Sequence, residues 1–214
     1  MAFPRWALLL AVTLIASGAA AQATAAGKAR LPTARPSSSA TLAPSAWSTW
    51  WGQATFAPNA VTLSSAVPTS PAETHSALIT SKRTWSDQTF TVNATTLSQL
   101  RLGSTPNPWE VAWVMFRFQD LQNYYYFILK PNGIELGKKQ GSDAQIFLVT
   151  AATPVLSLGQ PATLQVKTVG ARIRVSVNGA QVIDYTDPNP LRSGSIGLYE
   201  EDSQVRFDSL TLGP

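Results

Sequence analysis

Residues 172–177 alternate strictly, with Ile173, Val175 and Val177 on one side and Arg172, Arg174 and Ser176 on the other. Successive side chains of a strand point to opposite faces, so this run predicts a strand with one buried face. Asn178-Gly179 follows it and tolerates the positive φ of a tight two-residue turn, which predicts a hairpin into 180–185. Asn132-Gly133 predicts the same between 124–130 and 134–138, and Gly170-Ala171 joins 163–169 to 172–177. Further strands are predicted at 90–95, 98–102, 109–118, 145–150, 195–199 and 204–212. No stretch from Trp47 onward sustains a helical period. About ten short strands without an internal repeat predict an antiparallel β-sandwich or barrel, not a propeller.

The first residues have another texture. Arg5 supplies a positive end, Trp6 to Ala16 an apolar run, and Ala19-Ala20-Ala21 a small-residue cleavage signature. The run is short for a bilayer span and has no stop-transfer flank, so residues 1–21 read as a signal peptide, with cleavage after Ala21 or Ala25. An uncleaved anchor is the alternative. No later segment approaches a membrane span, and the expected destination is the periplasm or the exterior. Residues 22–45 are rich in Ala, Ser, Thr and Pro and read as a disordered tether, leaving 46–214 as the folded domain.

The net charge of +4 needs to be divided along the chain. Arg5, Lys28, Arg30 and Arg35 precede Ser45, so the 12 basic residues that remain balance the 12 acidic ones. A domain without a basic excess lacks the electrostatic footprint of a nucleic-acid binder. The chain has no cysteine, which removes thiolate chemistry, and a core of this size does not need disulfides. His75 is the only histidine and lies in a polar stretch, which fits an exposed loop better than a zinc site or a catalytic triad. Asn93-Ala94-Thr95 is a formal glycosylation sequon, read here as chance in a chain with a bacterial type of leader.

The run from Trp109 to Arg117, with Asp120 and then Asn123-Tyr124-Tyr125-Tyr126-Phe127-Ile128-Leu129-Lys130, resembles the central strands of bacterial concanavalin A-like domains. The arm Asn132-Gly133-Ile134-Glu135-Leu136-Gly137-Lys138 does so too. The closing Gly194-Ser195-Ile196-Gly197-Leu198-Tyr199 and Val205-Arg206-Phe207-Asp208 are similar to the last strands of laminin G-like and 3-keto-disaccharide-hydrolase-like domains. The resemblance spans about residues 81–212 and implies a jelly roll, a fold that hosts lectins, hydrolases, lyases and adhesion modules. It also implies a structural calcium near Asp208 in the final strand; calcium takes six to eight oxygens, which loop carbonyls could complete. The paired-carboxylate strand of laminarinase-type members is missing, because Glu200-Glu201-Asp202 has the wrong spacing and falls at a strand end.

Strand parity nominates a site. In 109–118 it sets Ala112, Val114, Phe116 and Phe118 against Trp109, Val111, Trp113, Met115 and Arg117. Tyr125, Phe127 and Leu129 go to the core, which leaves Tyr124, Tyr126, Ile128 and Lys130 opposite; Ile134 and Leu136 go inward, which leaves Glu135. With Leu100 and Leu102 inward, Gln99 and Arg101 join them. The predicted face is Gln99, Arg101, Trp113, Arg117, Tyr124, Tyr126, Lys130 and Glu135. Aromatic rings can stack on pyranose faces while polar groups take hydroxyls, which suits a polysaccharide or cell-envelope glycan. The competing account makes these residues core and cross-strand ion pairs. If Arg101, Arg117 and Lys130 line an open groove, the expected glycan is acidic; if each is paired and buried, the structural reading of the domain is favoured. Three functions remain open: an exported glycan-binding or cell-envelope module without turnover, a small hydrolase or lyase using Tyr124 or Tyr126 as base and Glu135 as acid, and a structural or adhesive domain with a protein partner.

Overall fold

The structure, a computed structural model, describes residues 42–213. The leader and all but the last residues of the tether lie outside the described residues. Those last residues belong to the domain: Leu42 and Trp47 are buried in its core, either side of a single 3-10 turn, Pro44–Ala46.

Fourteen strands follow among the described residues: β1 (Trp47–Trp51), β2 (Gln53–Ala57), β3 (Ala60–Ser64), β4 (Ser76–Ser81), β5 (Gln88–Gln99), β6 (Ala112–Asp120), β7 (Asn123–Lys130), β8 (Gly133–Gln140), β9 (Ile146–Ala151), β10 (Ala162–Val169), β11 (Arg172–Val177), β12 (Ala180–Thr186), β13 (Ser195–Glu201) and β14 (Ser203–Gly213). They form two seven-stranded sheets, β1-β4-β13-β6-β7-β8-β9 and β12-β11-β10-β5-β14-β3-β2. The pairings are antiparallel, as in a jelly-roll sandwich. Ile79, Val114, Phe116, Phe127, Leu136 and Leu198 of the first sheet meet Val61, Phe90, Val92, Leu164, Val175 and Phe207 of the second. Each such side chain contributes about 1.5–3 kcal/mol by leaving water.

Two of the crossings between the sheets are single-residue corners. Gly52 (φ +73°) separates β1 from β2, and Asp202 (φ +42°) separates β13 from β14. A left-handed backbone turns the strand out of its own plane, and glycine and aspartate reach that region at low cost.

Several expectations need correction. β1 to β4 went unpredicted; β1 is an edge strand whose exposed Ser48, Thr49, Trp50 and Trp51 show no alternation, and β2 and β3 are only five residues long. The runs 90–95 and 98–102 are one strand, β5, which ends at Gln99. Beyond it parity no longer holds: Leu102 is exposed and Arg101 is the buried residue. The β7–β8 turn is Pro131-Asn132, one residue earlier than expected, since Lys130 pairs with Gly133.

The largest correction concerns Arg117. It has φ +47°, and Phe116 and Arg117 together oppose Ile196 alone, a β-bulge that reverses parity within β6. Phe118 therefore joins the outer face with Trp113 and Met115, while the Arg117 guanidinium is fully buried. It donates to the carbonyls of Ser86 (3.1 Å) and Leu191 (2.7 Å), beside Asp87 at 3.4 Å. Burial pulls its pKa down. Replacing it leaves two carbonyls unsatisfied, so Arg117→Leu is expected to cost about 2–4 kcal/mol in urea denaturation. A loss below about 0.5 kcal/mol, the range of ordinary surface substitutions, would contradict this anchoring role.

Candidate functional site

The outer face of the first sheet carries a second apolar cluster: Leu78, Val111, Trp113, Met115, Phe118, Tyr124, Tyr126 and Ile128. The central strands are thus buried on both sides. The rings form a continuous floor, with Trp113 5.0 Å from Tyr126 and 5.2 Å from Tyr199, Phe118 stacked on Tyr124 at 5.7 Å, and Trp50 edge-on to Phe118 at 5.4 Å. The Trp113 indole N–H donates to the Trp109 carbonyl at 2.8 Å, which fixes its rotamer. Gly137 makes room for Tyr126: a Cβ there would lie 2.2 Å from the Tyr126 hydroxyl.

Two clefts open over this floor. One, of about 460 Å³, is lined by Trp51, Trp113, Tyr124, Tyr199 and Glu201, with Lys139 and Asp143 at its rim. The other, of about 430 Å³, lies between Trp109, Lys130, Glu135 and Phe147. Trp113, Gln145 and Glu201 line both, so the clefts are two arms of one groove. Each arm falls within the usual size of a small-ligand site, about 300–1,000 Å³.

The groove carboxylates are held in place. Glu201 accepts from the Trp109 indole N–H at 3.1 Å and the Tyr199 hydroxyl at 3.0 Å. Burial raises its pKa, which the bonds from Tyr199 and Trp109 oppose. Glu135 accepts from the Tyr126 hydroxyl at 3.0 Å and the Lys130 ammonium at 2.6 Å. Burial and the nearby Glu201 push the Tyr124 phenol up to about 12, and burial with Glu135 pushes Tyr126 higher still. These phenols are therefore held neutral near pH 7, the opposite of the tuning a tyrosinate base requires.

Of the eight predicted face residues, Trp113, Tyr124, Tyr126, Lys130 and Glu135 come together here. Three do not. Gln99 ends β5 in the other sheet and donates to the Asn107 carbonyl at 3.2 Å. Arg101 is buried between Glu110 and Asp202, 2.6 Å from each, and also donates to the Pro71 carbonyl. Arg117 is the bulge anchor described above. The three cations whose placement was to decide for an acidic glycan are thus all paired, Lys130 with Glu135.

Asp208 lies on the second sheet, where its carboxylate accepts from Asn93 at 3.1 Å, Arg206 at 3.2 Å and Ser209 at 2.9 Å. Among the described residues no three acidic or histidine side chains gather as metal ligands. With a guanidinium in contact, the surroundings of Asp208 do not fit a calcium shell. His75 is half-buried, with its backbone N–H donating to Asp202 at 2.7 Å.

Glu201, Tyr199, Trp51, Lys139, Gln145 and Phe147 escaped the sequence reading. The acidic triplet carried a signal, but its end-of-strand position disguised that Glu201 shares a face with Tyr199 while Glu200 points inward with Leu198. Trp51 and Phe147 sit on edge strands at opposite sides of the sheet, so no local pattern links them.

A profile of the 3-keto-alpha-glucoside-1,2-lyase-like domain matches residues 41–213. The chain belongs to this family. Comparison with curated proteins gives no match. Among solved structures, members of the wider fold are similar at low identity. The carbohydrate binding module CBM66 from Bacillus subtilis superposes with a TM-score of 0.63 at 20% identity, over 79% of this chain and 96% of that one. A putative glycosyl hydrolase from Parabacteroides distasonis gives 0.51 at 8% identity, over 79% and 88%. The exoplasmic/lumenal domain of VIP36, in a Ca2+/Man3GlcNAc-bound form, gives 0.56 at 14%, over 78% and 83%. At these identities the likeness establishes the family's jelly-roll fold alone.

Glu200, next to the groove acid, supplies a pH-dependent term. It is fully buried, and burial raises its pKa to about 7 against hydrogen bonds from Ser203 and Ser65, with Asp202 raising it further. A carboxyl raised in the folded state favours folding fully below its unfolded pKa. That advantage fades as pH rises from about 4.5 through 7. Glu200→Gln is therefore expected to flatten the fall in melting temperature between pH 5 and pH 8. It should leave the variant at least as stable as the parent at pH 8. Equal pH dependence in parent and variant would rule this out.

Proposed function

We propose that the protein is an exported glycan-binding module that holds a sugar chain in the two-armed groove without cleaving it. The observation that carries the reading is the combination of exposed Trp51 and Trp109 with the fixed acceptor Glu201 over an aromatic floor. Flat rings take the C–H face of a pyranose, and an acceptor held by two donors meets a hydroxyl without reorganising. Membership of a family that shares its fold with a carbohydrate binding module is in keeping with it. Export rests on the leader read in residues 1–21.

Turnover is the second reading, favoured by the family and by Glu201, whose raised pKa beside the junction of the arms suits a general acid. Against it, both oxygens of Glu135 and of Glu201 are engaged by neighbouring donors.

A polysaccharide pull-down with parallel assay for released sugar ends separates the two. Trp51→Ala should weaken retention by about tenfold, one stacking contact of about 1.4 kcal/mol, at unchanged melting temperature, and Trp109→Ala by at least as much, because it also removes a donor that holds Glu201. Release of new sugar ends, abolished by Glu201→Gln, would replace binding by turnover. No retention and no release would remove both readings.

A further inference from the structure

The charge and the continuity of the groove narrow its ligand beyond a glycan of any kind, an inference that rests on the glycan reading above. The lining holds two lysines, Lys130 and Lys139, against three carboxylates, Glu135, Asp143 and Glu201, and no arginine. Lys130 is already spent on Glu135 at 2.6 Å. A uronate or sulfated chain would need surplus cations to replace its lost hydration, and here would meet surplus carboxylate instead. The arginines that could supply such charge, Arg101 and Arg117, are buried in the frame at 7% and 0% exposure.

The two arms meet at Trp113, Gln145 and Glu201, and each ends on exposed aromatic surface. Trp51 (36% exposed) stands at the β1 edge, and Phe147 (63% exposed) at the β9 edge. Strands in a sheet lie about 4.8 Å apart, so the six steps from β1 to β9 measure about 29 Å along the sheet, several times the width of one ring. One sugar ring cannot touch both ends.

We propose that the groove takes an uncharged oligosaccharide of several rings, laid across the strands from Trp51 to Phe147, with Glu201 accepting hydroxyl hydrogen bonds where the arms join. Each arm alone holds its ring weakly, and linking the rings converts the second contact into an intramolecular one.

Isothermal titration of the intact protein tests this with β-linked gluco- and manno-oligosaccharides of one to six rings, oligogalacturonates and chitosan oligomers. Affinity for the neutral series should rise at least about tenfold from one ring to four or more and change little between low and high salt. Trp51→Ala and Phe147→Ala should each remove most of that gain with chain length, at unchanged melting temperature. A monosaccharide binding as tightly as the longer chains overturns the two-arm arrangement. Tighter, salt-sensitive binding of the galacturonates or of chitosan overturns the neutral class while leaving glycan binding standing. Failure of every oligosaccharide to bind overturns this inference together with the function on which it rests.

Discussion

The sandwich turns on the corner at Asp202. There the chain leaves one sheet for the other in a single left-handed residue, and the corner is pinned by a buried cation. Arg101 reaches Asp202 and Glu110 at 2.6 Å each, the Leu100 N–H donates to the Asp202 carbonyl, and the His75 N–H donates to its carboxylate. A buried ion pair is not in itself a strong stabiliser, because desolvation offsets much of the attraction. Its value here is geometric: it fixes the one place where β13 must end and β14 begin. Because Glu201 is the last residue of β13, the same constraint places the groove acid.

The second constraint is the double burial of the first sheet. In a sandwich the outward face of a sheet ordinarily carries polar side chains, yet here Trp113, Met115, Tyr124 and Tyr126 are all buried on that face. Trp113 packs tilted against Tyr126 and edge to face against Tyr199, while Phe118 stacks on Tyr124, contacts that aromatic quadrupoles favour. The consequence is a floor whose rings are locked by packing and by hydrogen bonds before any ligand arrives. Polar groups rise from it at few points, among them Lys130 at the end of β7, Glu135 within β8 and Glu201 at the end of β13. A site built this way gives up adaptability for low ordering cost on binding.

The sequence made the centre of this arrangement legible and left its margins obscure. Parity in β7 and β8 placed Tyr124, Tyr126, Lys130 and Glu135 correctly, because both strands run without interruption in a regular hairpin. It failed at Arg117, where one residue in the left-handed region flips every side chain after it. A bulge of that kind leaves no trace in a hydrophobic pattern, since Arg117 and Phe118 are each plausible on either face. It failed at Gln99 and Arg101 for a different reason: sheet membership is a long-range property, and β5 pairs with β10 and β14, not with the strands of the aromatic face. The edge residues Trp51 and Phe147 contribute from strands far apart in sequence and with exposed, patternless faces.

The acidic triplet shows most plainly how the fold divides chemistry among neighbours. Glu200, Glu201 and Asp202 are consecutive, and as a motif they have the wrong spacing for a carboxylate pair. Strand alternation sends Glu200 inward, where it loses water and has its pKa raised to about 7. The same alternation sends Glu201 outward onto the aromatic floor, where indole and phenol donors hold it. The corner then takes Asp202 out of both strands and gives it to Arg101. Three identical functional groups thus acquire three roles from one period-two pattern and one left-handed residue, and only the middle one is left facing the groove. The groove's chemistry therefore depends less on which acids are present than on where β13 stops. A slip of β13 by a single residue would turn Glu201 inward and bring Glu200 to the groove in its place, so the strand's register and not its composition decides which glutamate serves as the acceptor.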